Sequence, residues 1–314
     1  MKVLITGGAG FIGSHLTKKL LNMGYKVIGF DNFSLGTKEN LADFIYNKNY
    51  SFYEVDVTDI PKMLAILKDI NIDIVYHLAA NSDIQNGGQN PQIDYKDTFL
   101  TTYCILELMR LKTIKKLFFS STSAIYGNIT DKLLSEELGG LFPISYYGGA
   151  KLAAESFISS YTHMNDLSTI IFRFPNVIGP NLTHGVVYDF YNKLKNNPNK
   201  LEILGDGTQC KPYIHVYDLV DGIIKFTDNI KTGLLIYNIG VTTETTVKKI
   251  ADIMCEEMNL SNVKYEYTGG NIGWKGDVPK FQYDLTKISK TGWKPKYSSD
   301  EAIRDAAKRI IKEK

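Results

Sequence analysis

The sequence predicts an α/β fold: a doubly wound parallel sheet with helices on both faces, joined to a smaller α/β part. Three observations carry this. Short apolar, β-branched runs alternate with longer segments of helical period, the pattern of repeated βα units. The first run, Lys2-Val3-Leu4-Ile5-Thr6, passes at once into Gly7-Gly8-Ala9-Gly10-Phe11-Ile12-Gly13, so a strand ends in glycines and opens a helix. Beyond about residue 175 the alternation lapses into loops rich in Gly, Asn, Pro and Asp, such as Gly179-Pro180-Asn181 and Gly205-Asp206-Gly207.

In chain order, apolar runs place strands near 2–6, 26–30, 51–55, 73–77, 116–121 and 169–173. Helices fill the gaps near 11–23, 61–69, 92–111 and 145–164. Residues 211–230 read as a further strand and helix that rejoin the sheet, and an amphipathic helix near 300–312 closes the chain. The expected division is therefore 1–174 plus about 211–237 for the first domain. About 175–210 plus 238–314 form the smaller, substrate-binding part. Ligands of such sheets bind beyond the carboxyl ends of the strands. Asp56, His77-Leu78-Ala79-Ala80 and Ser120 to Ser123 fall at those ends.

The glycine run has two readings. Gly8, Gly10 and Gly13 satisfy G-x-G-x-x-G, while Gly7, Gly10 and Gly13 satisfy G-x-x-G-x-x-G. Either lets the backbone turn tightly against a pyrophosphate, held by the N–H groups and dipole of the following helix. The second strand, Val27-Ile28-Gly29-Phe30, ends at Asp31, 18 residues beyond Gly13. A carboxylate there accepts hydrogen bonds from the ribose hydroxyls of NAD and repels the 2′-phosphate of NADP. Strand, glycines, helix and acid together predict a Rossmann-type NAD site.

With 314 residues the chain is long enough for a large core. A formal net charge of +2 without a basic block argues against nucleic-acid binding, and the pair Lys115-Lys116 reads as a solvated face. Cys104, Cys210 and Cys255 stand isolated, so no disulfide framework or metal site is expected. His15, His77, His163, His184 and His215 have no metal-ligand spacing. With a strand starting at residue 2 and no apolar run of membrane-spanning length, the expectation is a cytoplasmic protein with no membrane attachment.

Tyr147 and Lys151 form Y-x-x-x-K, which at i and i+4 of a helix projects both side chains from one face. A phenol titrates near pH 10, so it becomes a base at neutral pH only where a neighbouring cation favours the phenolate. The same pattern also arises on ordinary exposed helices. Upstream, Ser120-Ser121-Thr122-Ser123-Ala124-Ile125-Tyr126-Gly127 brings hydroxyls to the end of the fifth strand, where they suit either a substrate oxygen or a simple turn.

The glycine motif, Asp31, His77-Leu78-Ala79-Ala80, the Ser/Thr run, Tyr147 with Lys151, and Arg173-Phe174-Pro175-Asn176-Val177-Ile178-Gly179-Pro180 together resemble the extended short-chain dehydrogenases that act on nucleotide sugars. Within them the 4-epimerases similar to UDP-galactose 4-epimerase are nearest. The resemblance continues through Gly205-Asp206-Gly207-Thr208-Gln209 and Gly276-Asp277-Val278-Pro279 to Gly292-Trp293. It implies that Thr122 hydrogen-bonds the reacting sugar hydroxyl, that Tyr147 is the base, and that Lys151 holds the nicotinamide ribose and lowers the tyrosine pKa. It assigns Gly7, Gly10, Phe11, Ile12, Gly13, Asp31, Asn32, Asp56, Val57, Leu78, Ala79, Ala80 and Ser120, with Tyr147 and Lys151, to the cofactor. Asn176 is assigned to the substrate beside its pyrophosphate. The helices near 92–111 and 145–164 are implied to pair into a four-helix bundle, giving a homodimer or larger homo-oligomer.

Departures from the pattern qualify these roles. Thr98 stands where an Asn is usual. Two arginines that clamp the diphosphate in many UDP-sugar enzymes are Lys211 and Trp274 here. Lysine keeps the charge but loses the bidentate fork, and tryptophan is suited to stack on a base or sugar or to pack internally. Lys275 could supply the missing charge, and GDP stands beside UDP as the nucleotide. His184, in the loop after Gly179-Pro180, is a candidate sugar contact. Ser123 and Ala124 occupy the positions where 4,6-dehydratases carry Asp-Glu, which disfavours dehydration; a Glu at the second position is common in the related decarboxylases.

The expected activity is NAD-dependent oxidation at C4 of a nucleoside-diphosphate sugar, followed by reduction from the other face, a net 4-epimerisation. The alternative is a C4 dehydrogenase that releases the 4-keto sugar, for example from a GDP-linked heptose. A cofactor-sensing regulator without turnover is the reading outside enzymology, and the intact Tyr147 and Lys151 weigh against it.

Overall fold

The computed structural model describes residues 1–227 and 230–313. In the first half β1 (Lys2–Thr6), α1 (Phe11–Asn22), β2 (Lys26–Asp31), β3 (Tyr50–Glu54), α2 (Ile60–Ile66) and β4 (Ile74–His77) alternate as expected. Asp59 caps α2, accepting from the Lys62 N–H at 3.0 Å, with Pro61 in the first turn. A short α3 (Ile84–Gly87) precedes α4 (Pro91–Asp94), which continues without a break through Tyr95–Leu100, wound as π-helix, into α5 (Thr101–Lys112). The helix expected near 92–111 is thus present but interrupted in its winding. Next come β5 (Lys116–Thr122), α6 (Tyr146–Met164) and β6 (Ser168–Phe174).

The remaining elements are β7 (Asn176–Ile178), α7 (Val186–Asn196), β8 (Lys200–Ile203), β9 (Cys210–Lys211), β10 (Tyr213–His215), α8 (Val216–Ile224) and β11 (Gly233–Asn238). They are followed by β12 (Thr245–Thr246), α9 (Val247–Glu257), β13 (Lys264–Tyr267), α10 (Thr286–Ser289) and α11 (Ser299–Glu313).

Seven strands form the main sheet in the order β11-β6-β5-β4-β1-β2-β3. The pairs β1·β2, β1·β4, β2·β3 and β4·β5 are parallel. The order reverses between β1 and β4, which makes their carboxyl ends the switch point where such sheets bind ligands. Leu4, Ile28, Val75, Leu117 and Ile171 belong to a core with Leu106 and Met109 of α5 and Ile158 of α6. An aromatic row, Tyr76, Phe118 and Phe172, stacks across β4, β5 and β6 at centroid distances of 4.8 and 6.1 Å.

One expected strand is elsewhere. Residues 213–215 pair with β7 in a separate two-stranded sheet, and the strand that joins the main sheet is β11, beside β6. Gly-Leu-Leu-Ile-Tyr-Asn at β11 is the longer apolar run, and Phe172 of β6 stacks on its Tyr237 at 6.0 Å. Within the span expected to rejoin, residues 228 and 229 lie outside the described residues.

The chain divides into two compact units. The first comprises 1–125, 146–173 and 223–237; the second comprises 126–145, 174–222 and 238–314. Relative to the expected boundaries, 126–145 and 211–222 fall in the second unit. That unit has its own core, in which Phe190 and Leu194 of α7, Ile250 and Ile253 of α9, and Ile303 and Ala306 of α11 surround Leu201 and Ile203 of β8. Among the described residues no helix is long and apolar enough to cross a membrane.

Candidate active site

The glycine run forms a closed cradle at the end of β1. Gly7 turns with φ +70°, and a Cβ on it would stand 2.9 Å from the Ala79 nitrogen. A Cβ on Gly13 would collide with the Gly7 carbonyl oxygen, so the first turn of α1 sits directly on the loop. Gly10 N–H bonds the Gly7 carbonyl at 3.1 Å, and Ser14 N–H bonds that of Gly10 at 3.0 Å. Gly10 caps α1 without a side chain, and the first turn, containing Phe11, Ile12 and Gly13, carries no acid. A helix N-terminus with its positive dipole end and no acid in its first turn suits a pyrophosphate.

Asp31 ends β2, and its carboxylate accepts from Ala9 N–H at 3.0 Å and Phe33 N–H at 2.8 Å. It therefore braces the cradle as well as facing the position expected for ribose. Burial pushes its pKa up, and backbone N–H groups from Phe33, Ala9, Asn32 and Gly10 oppose the rise. Asn32 accepts from Ser34 N–H at 3.0 Å. For Asp56 burial also acts upward, but the Thr58 N–H and hydroxyl, Lys96 and Asn32 outweigh it and hold the carboxyl below its ordinary range. Val57 is buried next to it.

Beyond β4, the Thr6 hydroxyl ties the loop down. It accepts from Leu78 and Ala79 N–H at 3.3 and 3.2 Å and bonds His77 Nδ1 at 2.7 Å. Ala80 is half-buried just beyond. His77 Nε2 bonds the Thr102 hydroxyl at 3.1 Å. Burial, with the nearby Lys151 charge, pushes His77 down to about 3, so it stays neutral. The Ser120 hydroxyl donates to the His77 carbonyl at 3.2 Å.

Thr122, Tyr147 and Lys151 come together at the end of β5 and the start of α6. Tyr147 and the Thr122 side chain are hydrogen-bonded to each other. Thr122 Oγ1 also accepts from Ala124 N–H at 3.1 Å, which fixes its rotamer. Lys151 is fully buried; its ammonium donates to the Ser120 carbonyl at 2.6 Å and lies 4.7 Å over the Phe119 ring and 5.9 Å from that of Tyr147. Burial pushes Lys151 down to about 7, with Glu155 and Asp94 holding it up. The Tyr147 phenol is pushed up by burial; the Thr122 hydrogen bond opposes this and the Asp94 charge adds to it. With the phenol held up by burial even beside the Lys151 ammonium, a phenolate needs a further positive charge.

The remaining candidates lie in the second unit. Asn176, on β7, keeps its Nδ2 buried without an acceptor, the signature of a side chain shaped for a ligand oxygen. His184 Nδ1 bonds the Thr183 hydroxyl at 3.1 Å in the loop before α7. Lys211 is not a free cation: its ammonium pairs with Asp277 at 2.5 Å. The same ammonium lies 5.3 Å from the Trp274 ring, which it covers, while Trp274 Nε1 is buried without a partner. Asp277 takes a second bond from Gly273 N–H at 3.1 Å.

Sequence reasoning missed a buried polar group built on Asp94 and Asn81. Asp94 is buried, accepts from Asn81 Nδ2 at 2.8 Å, and leaves Oδ2 buried without a partner. Asn81 N–H in turn donates to the Thr98 hydroxyl at 3.2 Å. An aspartate at the end of a helical turn gives no sequence signal for burial, and the π-wound turn that carries Thr98 has none either.

The model of the NAD dependent epimerase/dehydratase family matches residues 3–240. A putative UDP-glucose 4-epimerase of Methanocaldococcus jannaschii is 33% identical over 317 residues, covering 96% of each chain. The solved structure of UDP-glucose 4-epimerase from Thermotoga maritima with UDP-glucose matches with a TM-score of 0.89 at 33% identity, covering 100% of this chain and 99% of that one. UDP-glucose 4-epimerase from Thermus thermophilus, solved in complex with NAD, matches with a TM-score of 0.88 at 29% identity over 99% of both chains.

Proposed function

Because the chain belongs to the NAD-dependent epimerase/dehydratase family, we propose that it inverts C4 of a nucleoside-diphosphate sugar through a 4-keto intermediate. The observation that carries this reading is Thr122 bonded to Tyr147, with Lys151 buried beside them. Ser123 and Ala124 follow Thr122, and neither supports the C5 and C6 proton transfers of a dehydration.

NAD fits the cradle: Gly7, Gly10 and Gly13 leave no room for side chains, the first turn of α1 carries no acid, and Asp31 suits free ribose hydroxyls. When bound, it supplies the hydride acceptor and a positive ring of the kind that lowers a buried phenol's pKa. Thr122 orients the C4 hydroxyl, and Tyr147 takes its proton and returns it after the keto sugar has presented its opposite face. Lys151 is held in place beside them by its bond to the Ser120 carbonyl.

Tyr147→Phe should lower the interconversion of UDP-glucose and UDP-galactose by about 10²–10⁴-fold, the usual range for a lost general base, while NAD binding persists. Undiminished turnover would end this reading. Mass spectrometry of the product separates it from a second one. A product two hydrogens lighter than its substrate marks a C4 dehydrogenase, acting for example on a GDP-linked heptose. The commitment of Lys211 to Asp277 weakens any diphosphate clamp built on it and leaves the nucleotide open between UDP and GDP. Denaturing the purified protein and identifying released nucleotides reports UDP or GDP together with the cofactor.

A homodimer or larger homo-oligomer fits the aromatic face on α5, α6 and the π-wound turn. There Tyr95 and Phe157 are exposed and Phe99 packs edge-on against Phe157 at 5.2 Å. A cytoplasmic setting fits the three free thiols.

A further inference from the structure

The amino-terminal edge of the main sheet concentrates positive charge that the reaction does not use. Lys2 and Lys26 open β1 and β2, and the parallel register pairs them directly. Paired residues of neighbouring strands share a face, and like charges at such positions destabilise the pair. Lys48, just before β3, joins them. All three line one hollow of about 230 Å³, together with Asn49, Ser51 and Ile70. The lining holds no acidic residue. Asp73, next to Lys2, takes the Lys2 N–H at 2.7 Å and does not line the hollow. Among the described residues no carboxylate forms an ion pair with Lys2, Lys26 or Lys48.

The second unit contains the same arrangement with its charge answered. There β8 and β13 pair Lys200 with Lys264, and Glu266 binds both ammonium groups, at 2.6 and 3.3 Å. The chain thus supplies an anion to one directly paired set of lysines and none to the other, although the other set has a third lysine.

We propose that the hollow formed by Lys2, Lys26 and Lys48 binds a small anion carrying a diphosphate group. Lysine binds phosphate as a point charge and needs no planar fork. Three ammonium groups exceed the charge of about −2 on a single phosphoryl group, and a diphosphate matches them better. The volume lies below the roughly 300–1,000 Å³ of pockets for drug-sized ligands, so the bound part is small. Asn49 and Ser51 add neutral donors. The site is separate from the cofactor cradle: Lys2 and Thr6 are the two ends of β1, roughly 13 Å apart at the rise of a strand. The assignment depends on neither the sugar nor the reaction.

The test is calorimetric titration of the full chain with inorganic pyrophosphate, with NAD and UDP in excess to fill other phosphate sites. Pyrophosphate should bind, and Lys26→Gln and Lys48→Gln should each weaken it by about tenfold or more. Lys26→Arg, which keeps the charge, should bind nearly as the parent does. Lys308→Gln, at an exposed lysine outside the hollow, should bind as the parent does. In thermal unfolding without ligand, Lys26→Gln should match or exceed the parent, because a like-charge contact is removed. Pyrophosphate should then raise Tm in the parent and not in Lys26→Gln. ADP in place of pyrophosphate separates the sources of the group. Equal affinity marks the diphosphate of a nucleotide, weaker affinity marks free pyrophosphate, and both support the proposed chemistry. No binding by the parent at millimolar pyrophosphate overturns the proposal, as does equal weakening by Lys308→Gln. Orthophosphate binding as tightly as pyrophosphate overturns the diphosphate assignment.

Discussion

Lys211 and Asp277 show how a single pair can reset a ligand site. An ammonium 13% exposed beside a carboxylate 4% exposed is well matched in place and unavailable for a phosphate unless the pair opens. Asp277→Asn frees the cation and leaves it largely buried. We expect the variant to lose about 3 kcal/mol of stability in urea titrations and to regain much of it when UDP is added. Calorimetry should find UDP binding several-fold tighter than in the parent, because a charge-assisted contact to phosphate becomes available. Equal affinity would remove Lys211 from the diphosphate site. Trp274 belongs to the same cluster, and its expected stacking on a base competes with the Lys211 ammonium already over its ring.

At the scale of elements, the helix from Pro91 to Lys112 and α6 carry both the reaction and the proposed subunit contact. One side of the pair buries Asp94 and Lys151, while the other presents Tyr95 and Phe157 to solvent. Tyr103 packs edge-on against Phe157 at 6.3 Å, which extends the aromatic face along α5. Exposed aromatic rows of this kind mark association surfaces. Phe157→Glu should shift the protein to monomers in sedimentation experiments, since it would bury a charge in an apolar interface. A parent protein already monomeric at micromolar concentration would dismiss that interface. The element that misled sequence reading was the returning strand. Residues 213–215 and 233–238 are both apolar, and local pattern does not say which of two short runs finds the open sheet edge.

For the molecule as a whole, the buried neutral His77 links folding to pH. Its folded pKa of about 3 lies below the unfolded value near 6.5. The unfolded chain therefore binds one more proton between those limits. Stability is full above about pH 6.5 and declines as the pH falls toward 3, by up to about 1.4 kcal/mol per unit for this one group. In urea denaturation across pH 7 to 4, His77→Gln should flatten the slope by about one proton. An identical slope would show that His77 is not buried neutral.

Much of this chemistry was legible in the chain because it is local. Gly7 to Gly13 encode a turn that only glycine permits, and Asp31 follows at a distance set by one βα unit. Tyr147 and Lys151 share a helix face by spacing alone, and Thr122 ends a strand that its own apolar run announces. Such features need no knowledge of distant residues. What the tertiary structure decided are long-range pairings: Arg173 on Glu155, Lys211 on Asp277, and β11 rather than β10 on the sheet. The charge of a buried lysine or phenol belongs to this second class. It depends on desolvation and on anions brought close only by folding, so Y-x-x-x-K names the reacting groups while the packed interior sets their protonation.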